Sequence, residues 1–371
     1  MAGLGPVTLG GQGSEGSFPA QHQMQPKEPS FWRPLWYNKE QSSARRVRCV
    51  RYFHKVVMAL LSPPSAGQRF PILVTGAHRA GTTWIGRTLS AGGEAAYINE
   101  PLSRIHRPGV FGAQVPQWYF YLCAENEAPF LEPFRQMLAF RYGWGRELRA
   151  VRSPRDVARM GRDGFRFVWA RLKHQRPLLK DPFAVFSLPW FVARWGAQAV
   201  VVVRHPAAVV SSWLRLGWVV PPRALLRQPL LLNHVLTADE IAALESAQSA
   251  APLVQAALLW RVIYRVVAEY RATEQAIVVR HEDLALAPVE RFRTLYGALG
   301  LRFTPRVQRL IEKTTGGKAG ETDPKHPHRV QLNSKAVTRA WRQRLAPEQI
   351  AHIRALTEPV ASQFYTEADW A

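Results

Sequence analysis

Residues 76–83 form a glycine-bounded segment whose composition and spacing are typical of a phosphate-binding loop. An apolar run from Ile72 to Thr75 precedes it, and four residues separate Gly76 from Gly81. A segment with helical hydrophobic spacing follows directly. A strand, a tight glycine loop and a helix N-terminus in this order point backbone N–H groups and the helix dipole at a phosphate. The sequence therefore predicts an anion-binding loop at this position.

The loop lacks the side chains with which a nucleotide P-loop handles Mg-ATP. That motif places Lys and then Ser or Thr after its second glycine, for the β/γ-phosphates and Mg²⁺. Here Thr82 and Thr83 follow Gly81, and the cation of the loop is Arg79. The pattern favours a phosphate-like group over a Mg-bound triphosphate. A P-loop small-molecule kinase or NTPase is kept as the alternative enzyme.

Polar residues follow each of the short apolar runs that resemble buried strands. The five candidate strands are Ile72–Thr75, Ala95–Ile98, Leu178–Lys180, Ala199–Val203 and Ile277–Val279. Parallel sheets bind ligands at the carboxyl ends of their strands, where this chain places Arg79, Glu100, Lys180, Arg204 and Arg280. Cations at four of these five ends predict a ligand with several anionic groups. Among them, the lone carboxylate Glu100 would stay ionised and could act as a general base.

The candidate strands alternate with helical patterns, which predicts an α/β fold. We expect a P-loop-like, three-layer domain with a central parallel sheet of about five strands between helices. The predicted helices are Thr82–Ser90, Gln117–Glu125, Phe165–His174, Pro189–Trp195, Ala207–Leu216, Ala238–Ser246, Leu253–Tyr270, Val289–Leu299 and Glu348–Ser362. Residues 215–250 and 315–335 are interpreted as loops or lids.

Arg204 and Ser212 stand eight residues apart at the end of the fourth candidate strand and in the next helix. With Pro206 as the first helical residue, Ser212 falls near the end of the second turn. Together the two side chains could hold a second phosphate away from the glycine loop. The nearby sequence His281-Glu282-Asp283 resembles metal-ligand chemistry but lacks a second His at helical spacing. It is interpreted as a structural turn and helix N-cap, and no metal site is predicted.

The net charge of +22, in a chain of 371 residues, suits nucleic acid, an anionic membrane surface or small anionic ligands. Nine of the 49 basic residues are Lys, and an arginine-rich composition accounts for much of the charge without any ligand. The basic residues form no block of five, so a nucleic-acid arm is not expected. A basic protein that binds nucleic acid or anionic surfaces is kept as the alternative of a different class.

The composition divides the chain into three parts. Residues 1–30 have the composition of a disordered tail. Residues 31–69 are basic and aromatic, and residues 31–61 either contact a membrane surface or, as we favour, pack on the domain as a helix. The folded domain covers 70–365. The sequence has no apolar run of membrane-spanning length and no secretory signal, and its two cysteines, Cys49 and Cys123, stand at no metal-ligand spacing. These features predict a cytoplasmic protein. It would be membrane-peripheral if residues 31–61 contact a membrane surface.

Residues 70–365 resemble sulfotransferases that use 3′-phosphoadenosine 5′-phosphosulfate (PAPS), most closely a bacterial branch related to the tyrosylprotein and carbohydrate enzymes. Val74–Trp84 resembles the 5′-phosphosulfate loop of this family, and Val203–Trp213 resembles its 3′-phosphate motif. Tyr97–Leu102, Leu179–Phe183 and Val279–Leu284 add support in the same order.

The resemblance implies roles for individual residues. Arg204 and Ser212 would take the 3′-phosphate, Glu100 would be the general base, and Lys180 with Arg79 would face the leaving sulfate. The implied PAPS-binding set is Gly76, His78, Arg79, Ala80, Gly81, Thr82, Thr83, Trp84, Arg204, Ser212 and Thr338. The family commonly has Pro and Ser beside the loop Arg, where this chain has His78 and Ala80, so one hydroxyl contact is lost.

The implied reaction moves a sulfuryl group from PAPS to an acceptor hydroxyl or amine without a metal. Neither nucleic acid nor a particular oligomeric state is implied. The acceptor would be a glycan or small molecule, with a peptide still open, and residues 103–165 and 215–250 would shape its site. The aromatic and basic side chains that these segments carry include Trp118, Tyr119, Phe120, Tyr121, Trp144, Arg146 and Arg149.

Overall fold

One parallel five-stranded sheet organises the computed structural model, which describes residues 70–315 and 338–371. Its strands are β1 (Ile72–Gly76), β2 (Ala95–Asn99), β3 (Arg176–Lys180), β4 (Gln198–Val203) and β5 (Ile277–Arg280), and their spatial order is β2-β3-β1-β4-β5. All five strands were predicted. The strand β4 is apolar over five consecutive residues because helices cover both faces of the sheet, as in other parallel sheets.

Helices flank the sheet, which confirms the predicted α/β architecture. They are α1 (Thr82–Ser90), α2 (Ala128–Leu138), α3 (Trp144–Ala150), α4 (Pro154–Leu172), α5 (Leu188–Trp195), α6 (Pro206–Leu216), α7 (Arg223–Leu226), α8 (Pro229–His234), α9 (Ala238–Ser246), α10 (Pro252–Ala272), α11 (His281–Leu286), α12 (Pro288–Ala298), α13 (Pro305–Thr315), α14 (Pro347–Ala361) and α15 (Glu367–Trp370). Short 3-10 helices cover Pro182–Ser187, Ala247–Ser249 and Ala340–Gln343. Several helices begin at a proline, which lacks the N–H that the first helical turn leaves unpaired.

The strand register brings the candidate site residues to one edge of the sheet. β1 lies between β3 and β4, with Val74 opposite both Lys180 and Val200. The chain leaves β1 toward β2 on one side and later returns to β4 on the other. This reversal next to β1 is a topological switch point, where open α/β sheets form their ligand crevice.

The predicted helix Gln117–Glu125 is wrong, because these residues form turns and irregular chain. Tyr119 has φ 55°, outside the helical region. The N–H of Leu122 donates to the Ser187 hydroxyl, and the N–H of Cys123 donates to the Asn126 side chain. Side-chain acceptors thus replace the carbonyls that a helix would have supplied.

Other boundaries also differ from the sequence interpretation. The helix predicted at Phe165–His174 begins much earlier, at Pro154, since the Ser153 hydroxyl accepts the N–H of Asp156 as an N-cap. Residues 215–250, interpreted as loops or lids outside the predicted helix Ala238–Ser246, also hold α7 and α8. The expectations for 1–30, 31–69 and most of 315–335 lie outside the described residues. None of the helices that the structure describes combines the length and apolar character needed to cross a membrane.

Candidate active site

The glycine loop between β1 and α1 is fixed by two close backbone approaches. Gly76 has φ 138°, and a Cβ there would lie 2.4 Å from the Val202 carbonyl oxygen. Gly81 has φ 104°, and a Cβ there would lie 2.4 Å from Nδ1 of His281. Both positions therefore require glycine. The resulting tight turn leaves the N-terminus of α1 directed at the crevice, as an anion site needs.

Arg79 joins the glycine loop to helix α6. Its Nε donates to the Ser212 hydroxyl at 3.2 Å, and Arg204 Nη1 donates to the Arg79 carbonyl oxygen at 2.8 Å. Burial and the charges of Arg204 and Arg215 lower the pKa of Arg79 to about 10. Burial also lowers the pKa of Arg204. These shifts mean that the site holds positive charge at an energetic cost, which a bound anion would relieve.

His78 is a buried, neutral anchor of the loop. Its Nε2 lies 2.9 Å from the Trp218 carbonyl oxygen and must carry the proton, so Nδ1 accepts from the Tyr119 hydroxyl at 2.7 Å. The ring stacks on Trp213 at a centroid distance of 4.4 Å. Burial lowers the pKa of His78 to about 4. A rigid, hydrogen-bonded ring thus occupies the position where the resembling family has proline.

Glu100 and Lys180 form an ion pair at the ends of β2 and β3. Glu100 has φ 46°, and its N–H donates to the Lys180 carbonyl oxygen at 2.8 Å. The Lys180 stem packs over Gly86 of α1, and its side chain is almost completely buried. Next to it, burial raises the pKa of Asp181 to about 7, with Glu100 adding to the shift. Asp181 accepts the N–H groups of Leu102 and Phe183 and so positions both strand ends.

These elements enclose a cavity of about 510 Å³. Of the predicted site residues, the cavity is lined by His78, Arg79, Gly81, Thr82, Thr83, Trp84, Glu100, Arg204 and Ser212. The remaining four, Gly76, Ala80, Lys180 and Thr338, do not line it: Gly76 and Ala80 belong to the loop, and Lys180 lies behind Glu100. Among the residues that the structure describes, four arginines and a single carboxylate line this cavity, so its lining is strongly cationic.

The fifth strand end differs from the sequence interpretation. Arg280 forms ion pairs with Asp369 and Asp283 and does not line the cavity. His281 is the first residue of α11 and lines the cavity beside Gly81. The N-cap of this helix is Arg280, so the N-cap interpretation of 281–283 is wrong.

The structural role expected for this segment belongs to Glu282. Its carboxylate accepts the N–H of His205 at 3.0 Å and the Tyr365 hydroxyl at 3.1 Å, while burial raises its pKa. This carboxylate ties the start of α6 to the C-terminal part of the chain.

The cavity is also lined by four cationic or aromatic side chains that the sequence analysis did not name, the first two of them within 215–250, the segment expected to shape the acceptor site: Arg215, Trp218, Trp341 and Arg344. Arg215 follows Ser212 by three residues on α6, and helical spacing would have placed it on the same face. The sequence carries no comparable signal for Arg344. Of the seven aromatic and basic side chains expected at the acceptor site, Trp118 alone lines the cavity.

A separate group of possible metal ligands was also missed, because His234 is far in sequence from the other two members. The ligand atoms of Cys123, Glu125 and His234 lie within 4.8 Å of one another. All three side chains are at least partly exposed, and none lines the cavity.

One protein-family model and several individual proteins are similar to this chain. A model of the sulfotransferase family matches residues 71–305, more than half of the chain. Human carbohydrate sulfotransferase 1 is 33% identical over 87 residues, a match that covers 24% of the chain and 21% of the human protein. The sulfotransferase domain from the curacin biosynthetic pathway superposes with TM-score 0.43 at 15% identity, covering 80% of the chain and 98% of the domain. Mouse sulfotransferase SULT7A1, in complex with PAP, gives TM-score 0.38 at 12% identity, covering 85% and 91%.

The fold and the site define an α/β domain with a cationic crevice beside β1. The chain belongs to the sulfotransferase family, since the matched range contains all five strands and the loop at residues 76–83. The match spans about a fifth of the human relative's length. Family membership does not favour the kinase or the nucleic-acid-binding alternative.

Proposed function

We propose that this protein transfers a sulfuryl group from PAPS to a hydroxyl or amine of an acceptor, most favourably a carbohydrate. The observation that carries the proposal is the direct link between the two anion-binding elements. Arg79 of the glycine loop bonds Ser212 of α6 and accepts from Arg204 at the tip of β4. A nucleotide with a phosphate at each end of its ribose would fit two such adjacent elements.

The residues of the cavity suit the donor. The glycine loop and the N-terminus of α1 offer N–H groups to a 5′-phosphosulfate, while Arg204 and Ser212 offer a guanidinium and a hydroxyl to a 3′-phosphate. The four lining arginines match the several negative charges of this donor. PAPS would supply an activated sulfuryl group with adenosine 3′,5′-bisphosphate as leaving group.

The Glu100–Lys180 pair would carry the proton and charge transfers. During in-line transfer, a bond forms from the acceptor oxygen or nitrogen to sulfur while the bond from sulfur to the phosphate oxygen breaks. Glu100 would accept the acceptor proton, and the Lys180 ammonium, which pairs with Glu100 but does not line the cavity, would stabilise the developing negative charge from behind that carboxylate. The loop N–H groups and Arg79 would stabilise the equatorial sulfate oxygens.

A carbohydrate acceptor is supported by two observations. The human protein that matches this chain over 87 residues is a carbohydrate sulfotransferase. The cavity that Glu100 lines is also lined by Trp118 and Phe183, whose ring centroids lie 4.6 Å apart. Aromatic faces of this kind offer apolar contact to the C–H face of a sugar ring.

The proposal is tested by calorimetric titration with adenosine 3′,5′-bisphosphate and with AMP. We expect the bisphosphate to bind at least about tenfold more tightly, because Arg204 would bond its second phosphate. Arg204→Ala should remove that preference. Arg280→Ala is the matched control, since Arg280 ends the neighbouring strand β5, opposite Val203, but does not line the cavity. Equal affinity of the unaltered protein for AMP and the bisphosphate would refute the donor assignment.

A further inference from the structure

Helices α3 and α4 carry an exposed apolar face that the proposed function does not use. Its large side chains are Trp144, Leu148, Val157, Phe165, Val168, Trp169 and Leu172, each more than 40% exposed. None of them lines the cavity. Seven large exposed apolar side chains on two adjacent helices far exceed the scattered single residues that a protein surface ordinarily shows.

The face is continuous across the two helices. On α4, the exposed apolar side chains and Gly161 recur at helical spacing and fall within an arc of about 120° at 3.6 residues per turn. Trp144 of α3 packs against α4, since a Cβ at Gly164 would lie 2.1 Å from its ring. Leu148 stands one turn after Trp144 and extends the same surface. Phe165 and Trp169 stack at a centroid distance of 6.2 Å at its centre.

Arginines border this apolar arc. Arg155, Arg159, Arg162 and Arg166 occupy the adjacent arc of α4 and are exposed. Lys173 lies over the Trp169 ring at 5.0 Å from its centroid. Residues 144–174 contain nine Arg or Lys and three Asp or Glu, a net charge of +6.

The three acids of this region are already engaged locally. Glu147 is buried and paired with Arg107, Asp156 accepts from the N-cap Ser153, and Asp163 pairs with Arg162. The outward character of the face is therefore apolar and cationic.

We propose that this face, the exposed apolar residues of α3 and α4 with the bordering arginines, docks on an anionic phospholipid surface. A helix that lies at a membrane interface needs apolar and aromatic side chains on one arc and cations on the adjacent arc, and α4 has both. The apolar arc enters the boundary between headgroups and acyl chains, and the cations meet anionic headgroups. Charge complementarity selects this occupant, because an apolar protein partner would not account for the adjacent row of arginines. The inference does not depend on the proposed reaction.

Co-sedimentation of the full chain with vesicles tests the assignment. Vesicles of phosphatidylcholine with phosphatidylserine should bind the protein at least about tenfold better than phosphatidylcholine alone. The double variant Phe165→Asp/Leu172→Asp should lose most of this binding. Leu286→Asp/Leu310→Asp is the matched control, because both leucines are exposed on other helices. Thermal melting of each variant separates lost docking from lost folding.

Charge and insertion depth are tested separately. Arg159→Ser/Arg166→Ser should weaken binding to the anionic vesicles, while Arg306→Ser/Arg309→Ser on α13 should leave it unchanged. Brominated acyl chains should quench less of the tryptophan fluorescence in Trp169→Phe than in the unaltered protein. Unchanged binding by the α4 variants, or no binding at all, would overturn the proposal. So would self-association in the absence of lipid that Phe165→Asp/Leu172→Asp abolishes, since the face would then join two copies of the chain.

Discussion

Glu100 and Lys180 are joined twice across the β2–β3 pair, once by their side chains and once by their backbones. The Lys180 ammonium pairs with the Glu100 carboxylate, and the Glu100 N–H donates to the Lys180 carbonyl oxygen. Lys180 is 1% exposed, whereas the Glu100 side chain faces the cavity. The buried ammonium therefore reaches the cavity through its contact with the carboxylate, and the two groups should act as a unit.

Replacing the carboxylate should stop catalysis while donor binding survives. Glu100→Gln keeps an oxygen that can accept from Lys180 but cannot take a proton. We expect the rate of sulfuryl transfer to fall by about 10²–10⁴-fold, the usual contribution of a general base. The affinity for adenosine 3′,5′-bisphosphate should stay within about twofold, because the Arg204 side is untouched. Single-turnover transfer from ³⁵S-labelled PAPS measures the first quantity, and calorimetry measures the second. An unimpaired rate on a true acceptor would remove Glu100 from the mechanism.

Replacing the ammonium should also lower the rate, and the two changes should not add. Lys180→Met preserves the buried stem over Gly86 and removes the charge. We expect a loss of about 10²–10³ in rate, as for the removal of one electrostatic donor. If the pair acts as a unit, Glu100→Gln/Lys180→Met should be hardly slower than the worse single variant. A double-variant loss equal to the product of the single losses would show that the two groups act independently.

His78 should make the protein less stable in acid. Its pKa is lowered from 6.5 to about 4 by burial, so the unfolded chain takes up the proton first as the pH falls. The stabilisation is complete above pH 6.5 and is lost between that value and about pH 4, to the extent of about 3 kcal/mol.

The acid dependence is measured by urea unfolding across this pH range. His78→Asn should make the free energy of unfolding fall less steeply toward acid than in the unaltered protein. His205, whose pKa burial lowers to about 3, contributes with the same sign. Asp181 acts oppositely, because its pKa is raised to about 7 and its stabilisation is lost as the pH rises through 7. The comparison is therefore made between variants, and an identical pH slope for His78→Asn would contradict the assignment.

How much the sequence predicts depends on whether a feature is local. The five strands are short apolar runs bounded by polar residues, so each was predicted, and the strand-end rule placed Glu100 and Arg204 beside the glycine loop. Arg280 obeys the same rule but turns to Asp369, a residue 89 positions away. Lys180 follows the rule in sequence, yet its side chain lies behind Glu100. Side-chain direction at a strand end depends on such distant partners, which no local pattern contains.

The helix prediction for residues 117–125 was wrong for a related reason. The apolar spacing of this segment resembles that of a helix. However, Gln228, between α7 and α8, accepts the N–H of Tyr121, and Ser187, after β3, accepts the N–H of Leu122. Tertiary hydrogen bonds thus override the local periodicity. The apolar arc of α4 shows the opposite case. Its helical spacing can be read from the sequence, but only the structure shows that this arc is exposed instead of packed in the core.

The glycine loop should tolerate no side chain at Gly81, because a side chain there would collide with His281. Gly93 serves as a control that separates this collision from backbone strain. Both Gly81 and Gly93 have positive φ, 104° and 82°. A Cβ at Gly93 would meet nothing within 4 Å, whereas one at Gly81 would meet His281 Nδ1 at 2.4 Å. Gly93→Ala should therefore lower the free energy of unfolding only by the cost of a left-handed backbone at a residue with a side chain, about 1–2 kcal/mol. Gly81→Ala should cost more and should also displace the loop from His281.

Urea unfolding of the two variants, paired with calorimetry of bisphosphate binding, separates these effects. We expect Gly93→Ala to bind the bisphosphate normally and Gly81→Ala to bind it at least about tenfold more weakly, because the loop N–H groups no longer converge. Equal losses of affinity in both variants would show that the close approach to His281 does not shape the site.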